Sequence, residues 1–307
     1  MSRNQEVYME EIDSAGVSLF VKREDELHPF VSGNKFRKLK YNLKEAMDHG
    51  EKTLLTFGGA FSNHISALAY AGKQNGFKTI GIIRGDELEI RPDLIAENPT
   101  LSFALEQGMQ LEFVSREIYR SRHEGQFHAL LKKRFGDFYL IPEGGTNDLA
   151  IKGCEEILTE QDKEFDFICV SVGTGGTMTG LINSSAVGQK VLGFPSLKGD
   201  FLQDEISKIA LREKDWSLIH DYHFGGYAKI SEKLISFINR FYRSTTIPLD
   251  PVYTGKMMFG LLDMIQNNRF EKNSRILAIH SGGLQGVAGM NQKLKKKKMS
   301  LICVGDE

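Results

Sequence analysis

Short apolar segments rich in β-branched residues alternate along this chain with longer segments that have helical periodicity. Segments 53–57, 79–84 and 166–172 are largely apolar, which is typical of parallel strands covered by helices on both faces. This alternation predicts βαβ units and an α/β fold. The predicted strands are 17–22, 53–57, 79–84, 110–114, 138–141, 166–172, 190–194, 275–280 and 300–304. The predicted helices are 35–50, 63–76, 100–108, 126–135, 148–160, 229–242, 255–267 and 284–297.

Length and charge narrow the class of protein. The chain has 307 residues, enough for two packed units at roughly 150 residues each. Its 39 basic and 40 acidic residues leave a net charge of -1, so no nucleic-acid partner is expected. The three cysteines form no CxxC pair, so neither a metal site nor a disulfide framework is expected. The chain start has no apolar signal core, and no stretch approaches the ~18 apolar residues of a membrane span; we expect a cytoplasmic protein without membrane contact.

The first of three glycine-marked turns joins the strand at 53–57 to the helix at 63–76. Gly58 and Gly59 end the strand, and Ser62 is a good N-cap. The unpaired amides at such a helix start can bind an anion. An anion site and an ordinary capped helix stay equally open here, and the small polar residues Ser62, Asn63 and His64 suggest a carboxylate.

The second turn follows the strand at 166–172. Four glycines and three threonines occur within the eight residues 173–180, and a helix is expected to follow. Glycines allow backbone amides to approach an anion, and threonine hydroxyls add donors. The segment lacks the third glycine of a dinucleotide fingerprint, because Met178 stands there, and it lacks the lysine of a nucleotide P-loop. A phosphate cradle is favoured over a plain tight turn.

A third turn, Ser281-Gly282-Gly283, and one lysine complete the candidates. The turn is a weak signal by itself, since capped turns of this kind are common. Lys35 lies at the edge of the apolar face of the helix at 35–50. A buried lysine with a lowered pKa can act as a nucleophilic amine, but the local pattern favours a side chain that reaches water.

Taken together, five motifs resemble one enzyme family. They are Ser-Gly-Asn-Lys-Phe-Arg-Lys-Leu at 32–39, Ser-Asn-His at 62–64, Val-Gly-Thr-Gly-Gly-Thr at 172–177, Asp-Pro-Val-Tyr-Thr-Gly-Lys at 250–256 and His-Ser-Gly-Gly at 280–283. Their order resembles the pyridoxal 5'-phosphate enzymes of the 1-aminocyclopropane-1-carboxylate (ACC) deaminase and D-cysteine desulfhydrase family. The resemblance covers the chain from about residue 19 to about residue 289 and implies the tryptophan synthase β-like fold, fold type II.

The resemblance implies a cofactor site. Lys35 matches the lysine that carries the cofactor, which reverses the local interpretation, and Lys38 matches a lysine that reaches its phosphate. Asn63 matches the residue that bonds the ring hydroxyl, and Ser281 matches the hydroxyl that faces the pyridine nitrogen. The implied phosphate loop is Gly173, Thr174, Gly175, Gly176 and Thr177.

The resemblance also implies residues that act on the substrate. Ser62, Asn63 and His64 match the group that holds the substrate carboxylate. Tyr253 matches the tyrosine that packs against the cofactor ring, and Tyr227 matches a second active-site tyrosine. The residues expected to be catalytic are Lys35, Ser62, Tyr227 and Tyr253.

One departure from the family pattern bears on the reaction. Thr254 stands where ACC deaminases look to carry a glutamate, and Ser281 is neutral. A neutral group beside the pyridine nitrogen leaves a shallower electron sink, which suffices for β-elimination from D-cysteine or a related D-amino acid to pyruvate, ammonia and sulfide. ACC deamination to 2-oxobutyrate and ammonia is the alternative within the family, and an inactive binding protein of this fold is the alternative outside it. A nicotinamide-dependent dehydrogenase is disfavoured, because no acidic residue ends a strand about 20 residues after Gly173.

The resemblance implies two domains with the cofactor in the cleft between them. Residues 1–42 and 147–307 would form the large cofactor-binding domain, and 43–146 a small inserted α/β domain with the carboxylate-binding loop. We expect open, twisted, mostly parallel sheets with helices on both faces. We also expect a homodimer that acts on a small amino acid.

Overall fold

The computed structural model describes residues 2–210 and 215–305, which form two β-sheets with flanking helices. The strands are β1 Asn4–Val7, β2 Ser18–Lys22, β3 Thr53–Gly59, β4 Lys78–Arg84, β5 Gln110–Val114, β6 Tyr139–Ile141, β7 Phe167–Val172, β8 Lys190–Pro195, β9 Trp216–Leu218 and β10 Arg275–Ile279. The helices are α1 Glu10–Ala15, α2 Asn34–Asp48, α3 Asn63–Gln74, α4 Pro92–Glu97, α5 Pro99–Glu106, α6 Arg116–Arg120, α7 Gly125–Phe135, α8 Asp148–Glu155, α9 Gly176–Ser184, α10 Phe201–Ile209, α11 Glu232–Thr245, α12 Thr254–Gln266 and α13 Gly286–Lys296.

The larger sheet has the strand order β1-β2-β10-β7-β8-β9. Only β1 runs antiparallel to its neighbour, and the other strands pair in parallel. The smaller sheet has the order β5-β4-β3-β6, and all its pairs are parallel. Helix α2 connects β2 of the larger sheet to β3 of the smaller one, so its first residues lie where the two sheets meet.

Both faces of each sheet are buried under helices. Along β7, Ile168 and Val170 pack into one apolar cluster while Cys169 packs into another on the opposite face. Along β3, Leu54 and Leu55 divide in the same way. Because successive residues of a strand point to opposite faces, a strand buried on both sides must be continuously apolar. The predicted α/β class, with mostly parallel sheets and helices on both faces, is confirmed.

One predicted strand is wrong. Residues 300–304 run without strand pairing. The side chain of Asn291 bonds both backbone groups of Ile302, and the side chain of Asn239 accepts from the Cys303 amide. These side chains satisfy the polar groups that a neighbouring strand would otherwise bond. The sequence also missed β1, β9, α1, α4, α6 and α10, which are mostly too short to show a period.

A glycine fixes the start of α2 against the end of β10. Gly33 has a φ of 61°, and a Cβ there would lie 2.0 Å from the carbonyl oxygen of Ser281. The next amide, Asn34 N–H, donates to that same carbonyl at 3.2 Å. Since only glycine tolerates both the backbone conformation and this approach, Gly33 locks the lysine-bearing helix to the Ser281 turn.

Candidate active site

Apart from Tyr227, the predicted site residues lie at the carboxyl ends of β3, β7 and β10 and at the starts of α2, α3, α9 and α12. Tyr227 lies in the loop between β9 and α11. Two contacts show that these ends meet. Asn34 Nδ2 donates to Thr177 Oγ1 at 2.9 Å, and a Cβ on Gly283 would lie 3.0 Å from Asn63 Nδ2. Open α/β sheets bind ligands at this edge, and here the edges of both sheets face one cleft.

Lys35 and Lys38 occupy the cleft as a close pair of amines. Both Nζ atoms donate to the carbonyl oxygen of Gly144, at 3.3 and 3.2 Å, and Lys38 Nζ also donates to Thr146 Oγ1 at 2.9 Å. Burial and the charge of Lys38 lower the pKa of Lys35 to about 7. Burial also lowers the pKa of Lys38. A large fraction of Lys35 is therefore a neutral, nucleophilic amine near pH 7.

The glycine-rich loop after β7 places a helix start beside Lys38. Helix α9 begins at Gly176, and its N-cap Gly175 has no side chain to occupy the first amides. A Cβ on Gly176 would lie 3.3 Å from Lys38 Nζ and 3.0 Å from Thr146 Oγ1. The helix start, an ammonium and a hydroxyl thus converge on one point, which is the set of donors that a phosphate requires.

The start of α3 combines a hydroxyl with a neutral imidazole. Ser62 Oγ caps the helix by accepting from the Ile65 amide at 3.4 Å. His64 is 1% exposed, and burial, with the charges of Lys35 and Lys38, lowers its pKa well below the usual value. Its Nε2 bonds Thr56 Oγ1 at 2.9 Å, and that hydroxyl donates to Ile141 O. The His64 imidazole therefore bonds the end of β3, and the backbone amide of His64 stands in the first turn of α3.

One atom of His64 has no partner among the described residues. It is Nδ1, which is fully buried and lies 3.2 Å from where a Cβ on Gly145 would stand. Because Thr56 donates to Ile141, His64 Nε2 must carry the proton, and Nδ1 is left as an acceptor. This unpaired acceptor beside two lysines is typical of a pocket that holds a ligand.

Tyr253 and Tyr227 form the opposite wall. Their rings lie 6.2 Å apart, edge to face. A Cβ on Gly173 would stand 3.2 Å from the Tyr253 ring, so Tyr253 packs over the glycine loop. Burial raises the pKa of Tyr253 well above its usual value and, less strongly, that of Tyr227, whose side chain stays 42% exposed, so both hydroxyls stay protonated.

Asp250 holds Tyr253 in place. This carboxylate is 1% exposed and accepts from the amides of Val252, Tyr253 and Thr254 at 2.8, 3.0 and 2.7 Å. The Thr254 hydroxyl donates to it at 2.8 Å. Thr254 is therefore a capping partner of Asp250, and Ser281 is the neutral hydroxyl that stays near the cleft, 3.2 Å from Ser171 Oγ.

The sequence missed two structural groups of the site. Lys256 is buried, and its ammonium donates to the carbonyls of His223 and Gly226 at 2.9 and 2.8 Å, which fixes the loop that presents Tyr227. The segment 143–146 supplies the carbonyl and the hydroxyl that the two lysines bond. The sequence contained a signal for this segment, because two glycines, Gly144 and Gly145, follow an apolar strand. In the structure both have a positive φ.

The fold and this site define an enzyme that holds a phosphorylated cofactor beside a reactive lysine. The uncapped helix start with Lys38 fits a phosphate, the neutral amine of Lys35 fits a carbonyl carbon, and His64 contributes a buried, unpaired acceptor that feels the charges of both lysines. A family model described as "Pyridoxal-phosphate dependent enzyme" matches residues 7–282. The chain belongs to this family, and pyridoxal 5'-phosphate is its cofactor.

Three known proteins illustrate the similarity. A mitochondrial bifunctional D-cysteine desulfhydrase/1-aminocyclopropane-1-carboxylate deaminase of Arabidopsis thaliana is 33% identical, over 89% of this chain and 74% of the relative. A D-cysteine desulfhydrase of Klebsiella pneumoniae is 27% identical, over 88% of each chain. The crystal structure of an ACC deaminase homologue superposes with a TM-score of 0.81 at 25% identity, over 96% of this chain and 93% of that one. No helix in the described ranges is long and apolar enough to cross a bilayer.

Proposed function

We propose that this enzyme eliminates the β-substituent of a D-amino acid, with D-cysteine as its model substrate. The observation that carries the proposal is that the start of α2, which bears the amine of Lys35, is bonded to the turn that bears the neutral hydroxyl of Ser281. The pKa of that amine is lowered to about 7. β-Elimination needs a base for the Cα proton and only a moderate electron sink. The names of the Arabidopsis and Klebsiella relatives support this class of substrate.

Lys35, Lys38 and the loop 173–177 would hold pyridoxal 5'-phosphate, with Tyr253 and Asn63 beside the ring and Ser281 at its nitrogen. When bound, this cofactor supplies an electron sink for the electrons of the Cα–H bond. Ser281 and Ser171 are uncharged, so neither holds a proton on the ring nitrogen as a carboxylate would. This moderate sink favours a substrate that has a Cα proton and a good leaving group.

Lys35 would take the proton from Cα. A general base works best when its pKa is near the working pH, and the pKa of about 7 meets that condition. The Gly144 carbonyl accepts from Lys35 Nζ at 3.3 Å and so restrains the amine in the cleft. The proton ends on Nζ, and the electron pair of the Cβ–S bond leaves with sulfur.

The start of α3 would hold the substrate carboxylate. Ser62 Oγ accepts from the Ile65 amide and keeps its own proton free to donate. The amides of Asn63 and His64 stand in the first turn of the same helix, where an anion is favoured. This grip would orient Cα toward Lys35, and the hydroxyls of Tyr227 and Tyr253 would stand near the departing group.

The products follow from the atom balance. D-cysteine and one water give pyruvate, ammonia and hydrogen sulfide, with no net oxidation or reduction. ACC and one water would give 2-oxobutyrate and ammonia, but ACC has no Cα proton for Lys35 to take.

The test is to incubate the holoenzyme separately with D-cysteine, L-cysteine, D-serine and ACC and to identify the keto acid. Pyruvate with sulfide from D-cysteine is the expected result, and faster turnover of ACC would refute the proposal. Lys35→Ala should abolish turnover and the visible absorbance of the lysine-bound cofactor, whereas Lys40→Ala, an exposed lysine on the same helix, should leave both unchanged. Bound cofactor without any product would point to an inactive binding protein.

We also propose that the enzyme is a cytoplasmic homodimer and that its domains divide at residues 42/43 and 146/147. The two separate sheets support this division, because β3 to β6 all fall within 43–146. Light scattering that gives twice the chain mass would support the dimer, and a monomer under assay conditions would contradict it.

A further inference from the structure

A second cavity opens beside the carboxylate-binding loop. It has a volume of about 570 Å³ and lies at the carboxyl ends of β3 and β4. Its walls include the loop 59–61, Arg84, Tyr119, Arg120 and Glu143. None of the residues assigned to the cofactor or to the substrate carboxylate lines this cavity.

The sheet register places Arg84 at this cavity. Arg84 ends β4 and pairs directly with Gly59, which ends β3. A Cβ on Gly59 would stand 3.7 Å from the Arg84 guanidinium, so the guanidinium lies over the loop that leads to Ser62. Burial raises the pKa of Tyr227, and the charge of Arg84 acts in the opposite direction on the same phenol.

Arg84 is exposed at the cavity, lies against a buried tyrosine and has no counter-ion among the described residues. Its guanidinium lies 5.6 Å from the centre of the Tyr119 ring. Tyr119 is 2% exposed, and its hydroxyl donates to Glu143 at 2.7 Å. Glu143 is in turn paired with Arg122 at 2.8 Å. In the part of the chain that the structure describes, no carboxylate forms a salt bridge with Arg84.

The other charges of the cavity leave a positive excess. Arg116 faces Glu87 at 3.6 Å, and Arg122 faces Glu143. Arg84 and Arg120 form no salt bridge with any described carboxylate, so four arginines in the lining face two glutamates. Such a wall attracts an anion, and a guanidinium can bind a phosphate, sulfonate or carboxylate through two parallel hydrogen bonds.

We propose that Arg84 binds an anionic group at the end of the substrate's side chain. The preferred substrates would then be D-amino acids whose β-leaving group carries a negative charge, such as a phosphate or sulfonate. This inference rests on the proposed function and refines it. For O-phospho-D-serine, the phosphate leaves from Cβ with the electron pair of the C–O bond, Lys35 takes the Cα proton, and one water completes pyruvate, ammonia and phosphate.

The kinetic test compares O-phospho-D-serine with D-cysteine in the holoenzyme. Arg84→Gln should lower kcat/KM for O-phospho-D-serine by about tenfold or more, mainly through KM, because it removes a hydrogen-bonded charge pair. It should leave D-cysteine turnover unchanged, and Arg84→Lys should restore part of the loss. Arg134→Gln, which changes an exposed arginine paired with Glu112 outside the cavity, should affect neither substrate. Equal losses on both substrates would mean that Arg84 serves the common carboxylate and would overturn the proposal, as would no loss on either.

A binding test separates this proposal from the reaction itself. Calorimetry with the holoenzyme compares 3-phosphonopropionate, which has both anionic groups but no amine, with propionate. We expect the phosphonate to bind at least about tenfold more tightly, and Arg84→Gln to abolish that difference. This result would stand even if D-cysteine were not turned over. Equal binding of the two acids would refute the anion subsite while leaving the elimination reaction intact.

Discussion

Asp250 is the residue whose removal most directly tests how the site is held together. Its carboxylate accepts three backbone amides and one hydroxyl at 2.7 to 3.0 Å, and it is 1% exposed. Asp250→Ala leaves four donors without an acceptor: the buried amide and hydroxyl of Thr254 and the partly buried amides of Val252 and Tyr253. Each buried donor left unsatisfied costs about 1–3 kcal/mol before relaxation, and a partly buried donor costs less because water can reach it. We therefore expect Asp250→Ala to lower the free energy of unfolding by about 3–5 kcal/mol.

The measurement is urea unfolding of the cofactor-free protein followed by circular dichroism. Asp250→Asn keeps one carbonyl oxygen for the Val252 and Tyr253 amides, but it turns an NH2 group toward the donors of Thr254. Asp250→Asn should therefore lower the free energy of unfolding by a smaller amount, about 1–3 kcal/mol. Asp48→Ala, which removes an exposed partner of Lys44, should leave the midpoint unchanged.

A functional consequence accompanies the loss of stability. Tyr253 is the N-cap residue of α12, and Asp250 bonds its amide. Asp250→Asn should therefore lower kcat under conditions where the variant is fully folded. An Asp250→Ala protein within about 1 kcal/mol of the wild type would refute the reasoning, because two buried and two partly buried donors would then have lost their acceptor almost without cost.

Two further predictions concern the start of α2. In the cofactor-free protein, the rate at which an acylating reagent modifies Lys35 should rise with pH with a midpoint near pH 7, because burial and Lys38 lower the pKa of its amine to about 7. Mass spectrometry measures the modified fraction. Lys38→Met should move that midpoint to higher pH, since it removes a positive charge that disfavours protonation, and an unchanged midpoint would contradict this coupling. Gly33→Ala should prevent correct folding, because its Cβ would stand 2.0 Å from the Ser281 carbonyl. The control is Gly50→Ala, whose Cβ meets nothing within 4 Å. This control adds only the strain of a positive φ, about 1 kcal/mol. Expression yield and circular dichroism check the pair, and a well-folded Gly33→Ala protein would show that α2 can move away from β10.

Much of the fold could be predicted because its signals are local. A strand buried on both faces must be apolar at every position, so β7 and β4 were recognised from short windows of sequence. The glycine-rich turn after β7 likewise predicted an anion site, since the amides of a helix start are unpaired wherever the helix lies. The short strands β1 and β9 were not predicted, because three or four residues are too few to show a hydrophobic alternation.

The site depended on contacts that no local window contains. The segment around Lys35 indicated a side chain in water, but the Gly144 carbonyl that it bonds lies 109 residues away, and the cleft it enters exists only when two sheets meet. The same holds for Arg84, whose place beside Gly59 follows from strand register. It also holds for Asp250, because its local sequence is that of an ordinary turn. The sequence by itself determined the longer strands and helices and the glycine turns, because backbone conformation and burial patterns are set by near neighbours. Only the tertiary structure decided which charges lie together and which are withdrawn from water, because electrostatic energies depend on distance and burial in space.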